Sequence, residues 1–586
     1  MNAAWSIRVQ GVVQGVGFRP FLYRLAHANS LRGWVINDQD GVKLQVEGSA
    51  LALEAFVQAI RRDSPPSARV ETIEVRPVQA AGLSDFTIRD SRRQGAPLAH
   101  ISPDLPVCAD CLRELFDPQD RRYLYPYINC TNCGPRYSVL EHLPYDRPNT
   151  TMKSWPLDAA CEREYNDPAD RRFHAQPVAC SACGPGYELV SGESRIRHDA
   201  ITAAARLLCD GRIVAVKGIG GYHLACDASD ASAVTALRER KFRKDRPFAL
   251  MVRDINVAKR LVHLPDDAKA LLESPARPIV IAQAISELPG VAPDNTEFGV
   301  MLPYAPVHCL LFASGAPEML VMTSANRSSE PIAYTDADAA DRLNGIADAF
   351  LTGERPIARR VDDSIARAGA SGTVILRRSR GYAPGAVTTF PSGTPPILAV
   401  GADLKNAVTL VVDRQAFVGQ HIGDLEQYGC RQAFREAIRD LTAMYEIDAE
   451  RMVVAHDSHP EYASTSEALD IQCAGRLTIQ HHRAHVASVL AERQAWDERI
   501  VGVSFDGTGY GDDGTIWGGE FFVGSLRAGF DRVMHLRTAL LPGGDAAARF
   551  PVQSAAGFVS QLATVPDLCR PPFDFPERYR QSRGMV

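Results

Sequence analysis

The stretch from Cys111 to Tyr137, CLRELFDPQDRRYLYPYINCTNCGPRY, returns fifty residues later as CEREYNDPADRRFHAQPVACSACGPGY, from Cys161 to Tyr187. In the first copy Cys108, Cys111, Cys130 and Cys133 are spaced C-x2-C-x18-C-x2-C. Two tight knuckles at that spacing bring four thiolates to one tetrahedral ion, which is a zinc pattern. The second copy offers Cys161, Cys180 and Cys183 at the same offsets and repeats DPxDRR and CGP in register, but it carries Asp158 where the first has Cys108. Asp158 either completes a Cys3Asp zinc site or leaves a weakened one that recruits water or His174. Two in-register copies argue against cysteines that serve only as small buried apolar residues. Closed four-ligand sites are structural, so the chemistry is expected elsewhere in the chain.

A length of 586 residues exceeds a single core and suggests three to five domains. Thirteen cysteines without a secretory context are metal ligands or plain thiols rather than disulfides. The N-terminus MNAAWSIRVQ lacks the zones of a signal peptide, and no apolar run approaches the length of a membrane span. The expected location is the cytoplasm, with no membrane partner. A net charge of −6 gives no general attraction to phosphate backbones, so nucleic acid is not an expected partner.

Before the repeat, residues 1–90 alternate as WSIRVQGVV, RPFLYRLAHAN, GWVIND, GVKLQVEG, ALEAFVQAIRR and a last strand near DFTIRD. That β-α-β-β-α-β order is a ferredoxin-like split βαβ fold. The glycines of VQGVVQGVGFRPF leave backbone N–H groups free to surround an anion at a helix N-terminus. Arg19 follows directly with a planar fork suited to phosphate or carboxylate, and Asn37 ends the next strand in a position to hold a water. GVVQGVGFR and GWVIN resemble the acylphosphatase family. The resemblance implies that Arg19 binds the phosphoryl group and Asn37 positions the attacking water.

After the linker SRRQGAPLAHISPDLP and the repeat, residues 198–385 read as a mixed α/β domain. On its residues alone, the basic stretch LRERKFRKDRPFALMV reads as a solvated helix end before it reads as a phosphate site. The segment nevertheless resembles the YrdC-like carbamoyl-adenylate-forming fold, with Lys241 and Arg243 in its K-x-R, Ser324, Ala325 and Asn326 in its SAN, and Arg378 within LRRSRGYAP. Binding of nucleotide and carbamate by Lys241, Arg243, Ser324, Asn326 and Arg378 is what that resemblance implies. Arg246 stands where the pattern has Lys, which leaves its role open.

Beyond TTFPSGTPP, two hairpins at ILAVGADLKNAVTLVV and IVGVSFDGTGYGDDGTIWGGEFFVGSL resemble those of the actin-like (ribonuclease H-like) ATPase superfamily. Between them, His481 and His485 stand four apart at the start of an amphipathic helix, so they share a face and can share a metal. Asp506 offers an oxygen ligand, while His482 points off that face.

The assembly is an acylphosphatase-like domain (1–90), a tandem zinc module (105–187), a YrdC-like domain (198–385) and an actin-like carbamoyltransferase domain (396–586). It resembles the HypF family of hydrogenase-maturation carbamoyltransferases across the whole chain. The resemblance implies that carbamoyl phosphate is hydrolysed, the carbamate is adenylated with ATP and Mg2+, and the carbamoyl group passes to the C-terminal cysteine of a HypE-type acceptor. The third site would carry iron or zinc. It also implies that a chain ending RYRQSRGMV leaves the last domain incomplete, so hydrolysis is expected to outlast transfer. The rivals are a threonylcarbamoyl-adenylate enzyme of tRNA modification, which has no need of an acylphosphatase domain, and a non-enzymatic zinc protein that binds RNA, which the acidic balance opposes.

Overall fold

A computed structural model describes residues 3–13, 15–38, 41–65, 68–89, 101–327, 330–544, 547 and 550–571. Gln14 of the glycine loop, residues 91–100 of the first linker and the terminal RYRQSRGMV lie outside the described residues. By internal packing the chain falls into two compact units. The first holds Met1–Ala386, Ser392–Leu398 and Asp403–Met452; the second holds Val387–Pro391, Ala399–Ala402 and Val453–Val586.

The first unit opens with strands β1 (Ala3–Val12), β2 (Arg32–Asp38), β3 (Gly41–Gly48), β4 (Arg69–Val78) and β5 (Phe86–Ile88), in sheet order β4-β1-β3-β2-β5. Helix α1 (Phe18–Ala28) buries Phe18, Leu22 and Ala26, one stripe at a spacing of four. Helix α2 (Ala50–Arg62) buries Leu53, Phe56 and Ile60 against the same face, where β1 and β3 contribute Ile7, Val9, Val42, Leu44 and Val46. The expected last strand, DFTIRD, is instead an additional short edge strand, β5, parallel to β2. The sixth element of the split βαβ fold is β4, which pairs with β1. Its edge position leaves Val75 and Val78 partly in water, so the strand carries no clean apolar alternation to read.

The repeat contributes helices α3 (Ala109–Leu115) and α4 (Ala159–Asn166), one after each leading ligand position. A large mixed sheet of eleven strands follows. Its centre is formed by Ala249–Val252, Met319–Ser324, Tyr222–Asp227 and Val214–Lys217, all densely apolar and buried on both faces. A hairpin of Tyr187–Ser191 and Ser194–Ile196 extends one edge, so the tail of the second repeat copy is built into this sheet.

Residues 403–452 pack with the first unit. Their helix Tyr428–Met444 is tied to Arg359 through Asp440 and to Arg360 through Glu436, at 3.0 and 2.8 Å, and the Tyr137 hydroxyl donates to Gln420 Oε1 at 2.8 Å. Strands Thr409–Val412 and Gln415–Val418 pair antiparallel beside that helix.

In the second unit, Val453–Asp457 runs parallel to Gly475–Ile479. Strands Ile500–Tyr510, Ile516–Ser525 and Gly529–His535 form an antiparallel sheet covered by the helix His481–Glu492 through Val486 and Leu490. No helix among the described residues is long and apolar enough to cross a membrane.

Candidate active sites and metal centres

Cys108, Cys111, Cys130 and Cys133 converge with their sulfurs within 4.8 Å of one another. Individual Sγ–Sγ separations are 3.7 Å for Cys108–Cys130, 3.9 Å for Cys130–Cys133 and 3.5 Å for Cys111–Cys133. A tetrahedron with Zn–S bonds of about 2.3 Å has edges of about 3.8 Å, so the donor set fits zinc in chemistry and size. In the second copy Asp158, Cys161, Cys180 and Cys183 gather in the same way, with Cys161–Cys183 and Cys180–Cys183 both at 3.7 Å. His174 is stacked on Tyr165 instead, with ring centroids 5.1 Å apart. Asp158 also caps α4 by accepting from the Cys161 and Ala160 N–H groups, at 2.7 and 3.0 Å. The Cys161 amide, then the Cys180 thiol and Arg121, hold its carboxyl well below the usual range.

The two copies exchange arginines. Arg121 of the first reaches Cys161 at 3.4 Å, Cys180 at 3.1 Å and Asp158 at 2.8 Å, while Arg122 reaches Cys161 at 3.3 Å and pairs with Glu164. Reciprocally, Arg171 of the second copy reaches Cys111 at 3.2 Å, and Arg171 and Arg172 both pair with Glu114. Four anionic ligands around one Zn2+ would carry a net charge of −2, and the DPxDRR of the first copy brings two cations to the second cluster while that of the second brings Arg171 to the first, with Arg172 on the neighbouring Glu114. The repeated arginines give a physical reason for the pairing: each cluster draws compensating charge from the other copy.

At the first candidate active site, Gly15 and Gly17 both adopt left-handed backbone, at φ 71° and 73°, turning the chain from β1 into α1. Arg19 is the second residue of α1. Val42 of β3 pairs with Val9 on one side and Asn37 on the other, so the loop after β1 and Asn37 share one end of the sheet. Asn37 Oδ1 is buried and accepts no hydrogen bond, the state of an acceptor waiting for a water or ligand.

The second site is a cavity of about 590 Å3, walled by Arg243, Arg246, Ser324, Asn326, Asp362 and Arg377, and by Lys405 and His421 of the segment after residue 403. Burial, then the neighbouring charges of Arg246, Arg238 and Arg377, press the Arg243 pKa down to about 10. The lining also holds Glu297, Glu330, Asp362, Asp363 and Asp424, so the crowded arginines offer a local place for anions within a wall of both signs. Two placements differ from expectation. Lys241 lies beneath the wall, fully buried, and its three N–H groups go to the carbonyls of Ser324 (2.7 Å) and Asn326 (2.5 Å) and to Asn326 Oδ1. It therefore shapes the Ser324–Asn326 turn, and burial lowers its pKa to about 7. Arg378 donates to the Tyr382 and Gly385 carbonyls at 3.3 and 3.1 Å, and the cation on the cavity wall is Arg377, one residue earlier, held by Asp362 at 2.9 Å. At the end of a strand, a shift of one residue moves a side chain to the other face.

In the second unit His481, His485 and Asp506 converge within 4.8 Å. Asp506 Oδ2 lies 2.9 Å from the Nε2 of both histidines. Asp457, at the end of its strand, meets His481 Nδ1 at 2.6 Å and turns Nε2 toward the cluster. Such a carboxylate fixes ring orientation in metal-binding histidines. The two carboxylates, Asp457 first, raise the His481 pKa to about 9. Asp457 was missed in the sequence because AHDSHP offers no spacing that ties it to His481. His482 is fully buried, with Nε2 facing the Asp506 carbonyl at 3.2 Å.

Comparison with known proteins matches every part of this assembly. Family profiles are found for acylphosphatase over residues 5–88, the HypF finger over 107–140 and 159–190, and the family described as telomere recombination (Sua5, YciO, YrdC) over 206–379. Two more follow, the HypF Kae1-like domain over 392–492 and the carbamoyltransferase Kae1-like second subdomain over 502–582. Carbamoyltransferase HypF2 of Cupriavidus necator is 47% identical, covering 94% of this chain and 71% of its own length. The probable carbamoyltransferase HypF of Methanocaldococcus jannaschii is 38% identical, over 98% and 75%. A crystal structure of full-length HypF in a phosphate- and nucleotide-bound form is 43% identical over 95% of this chain and 73% of that one, with a TM-score of 0.88. With the acylphosphatase fold, the paired fingers, the YrdC-like sheet and the Kae1-like region all matched in order, the chain belongs to the HypF carbamoyltransferase family.

Proposed function

We propose that this enzyme hydrolyses carbamoyl phosphate at the Arg19 loop, adenylates the liberated carbamate with ATP and Mg2+ in the Arg243 cavity, and transfers the carbamoyl group at the His481 cluster. The acceptor is the C-terminal cysteine of a HypE-type protein. In the first step water attacks phosphorus and the bond to the carbamate oxygen breaks, releasing carbamate and phosphate. Arg19 and the loop amides stabilise the charge on the phosphoryl oxygens, and Asn37 Oδ1 accepts from the attacking water. In the second step a carbamate oxygen attacks the α-phosphorus and pyrophosphate leaves. Arg243, Arg246 and Arg377 neutralise the phosphates, and the turn braced by Lys241 orients the nucleotide. In the third step a thiolate attacks the carbamoyl carbon and AMP leaves. Zinc or iron held by His481, His485 and Asp506 would supply Lewis acidity there. Asp457 keeps His481 aimed.

The observation that carries this reading is the Arg243 cavity, where Arg243 and Arg246 share the lining with Ser324 and Asn326, in a chain that also holds an acylphosphatase fold. The relative solved with phosphate and nucleotide supports it. The test is pyrophosphate exchange into ATP. Exchange that depends on carbamoyl phosphate supports the proposal, whereas exchange driven by bicarbonate plus threonine would favour the tRNA-modification chemistry.

The fingers serve as a zinc-bound scaffold in this reading. Atomic absorption is expected to find one zinc ion per chain fewer in Asp158→Ala than in the wild type, whichever metal the His481 cluster holds. A zinc content equal to wild type in the variant would remove Asp158 from the ligand set.

A further inference from the structure

The two finger copies are near-identical in pattern, yet they diverge in the second knuckle. The first reads Cys130-Thr131-Asn132-Cys133-Gly134-Pro135-Arg136, where the second reads Cys180-Ser181-Ala182-Cys183-Gly184-Pro185-Gly186. Asn132 and Arg136 therefore have Ala182 and Gly186 as counterparts. Zinc binding needs neither side chain, since the second copy gathers its ligands without them.

Both side chains of the first copy face the loop that leads into Arg19. Arg136 is nearly fully buried and its Nε donates to the Gly15 carbonyl at 3.2 Å. Its remaining donors are fixed by the carbonyls of Thr131 (2.8 Å), Cys133 (2.9 Å) and Pro135 (3.0 Å), so the guanidinium is a rigid bracket between knuckle and loop. A Cβ added at Gly17 would lie 2.8 Å from Thr131 Oγ1 and 3.1 Å from Asn132 Oδ1, which places the knuckle directly against the loop. Asn132 Oδ1 is buried and accepts no hydrogen bond. A half-turn of that amide presents its two N–H donors to the same place, the change an arriving anion would favour. Arg24 of α1 also has a buried Nη1 with no hydrogen-bond partner.

We infer that the first finger forms one wall of the acyl-phosphate site, with Arg136 positioning the Gly15–Gly17 loop and the Asn132 amide donating to the bound phosphoryl group. This rests on the reading of the Arg19 loop as the acyl-phosphate site and assigns the finger a part in binding that its zinc does not require.

The full-length chain is the material for the test, with Arg136→Met, Asn132→Ala and Arg19→Ala compared for zinc content, for the Kd of inorganic phosphate by 31P NMR, and for kcat and KM with carbamoyl phosphate. Loss of one hydrogen bond to a charged group raises Kd and KM about tenfold, with zinc content and kcat held near wild type. A merely structural role lowers the active fraction instead, so that apparent kcat falls and KM stays. That pattern, or wild-type Kd and KM in both finger variants, overturns the inference. If Arg136→Met does not fold, Asn132→Ala decides alone, because its side-chain oxygen accepts no hydrogen bond from the protein. A wild-type chain that neither binds phosphate nor hydrolyses the substrate, or an Arg19→Ala chain that matches it, sinks the underlying reading instead.

Discussion

Arg19→Ala is expected to lower carbamoyl phosphate hydrolysis by about 10²–10³-fold, the cost of removing a donor aimed at charge in the transition state. Arg19 stands at the start of α1, where the first N–H groups of the helix have no intrahelical partner and Gly15 and Gly17 turn the chain through left-handed backbone. Its guanidinium adds a fork that matches two phosphoryl oxygens, a geometry that a lysine cannot reproduce. Phosphate release from carbamoyl phosphate, followed at saturating substrate, measures the loss. A variant that hydrolyses at the wild-type rate would place the chemistry elsewhere in the molecule.

Arg243→Ala is expected to cut carbamoyl-phosphate-dependent pyrophosphate exchange by about 10²-fold or more, with phosphate release little changed. The asymmetry follows from where the cation stands. Arg243 lines the cavity among Arg246, Arg238 and Arg377, and its guanidinium also donates to the Arg246 and Pro247 carbonyls at 3.1 and 2.6 Å, so its removal takes away attraction for nucleotide together with two local hydrogen bonds. Stability should therefore fall by only about 1–3 kcal/mol while exchange collapses. Thermal unfolding measured beside exchange separates the two effects, and a variant that loses both in parallel would mark Arg243 as a structural residue.

The sequence carried the local patterns well. Cysteine knuckles, the glycine turn before Arg19 and the i, i+4 histidines are encoded within a few residues of one another, and the structure brings each group together. What it carried poorly depends on partners far along the chain. Asp457 meets His481 from another strand, and the arginines of one finger serve the cluster of the other. Strand β4 lies at an edge where apolar alternation is not needed, and the place of Arg377 rather than Arg378 on the cavity wall turns on a single residue at a strand end. Lys241 fits its motif, yet burial turned it inward to brace the turn that Arg243 stands beside.

The order of events is the central claim: carbamate is made at the Arg19 loop and taken up by nucleotide before it decomposes in water. Carbamoyl phosphate labelled with 14C, given with ATP and Mg2+ and quenched within one turnover, tests this most directly. The expected result is label on adenylate in the wild type and none in Arg19→Ala. Quantitative release as carbon dioxide from the wild type, with nothing captured on nucleotide, would contradict it.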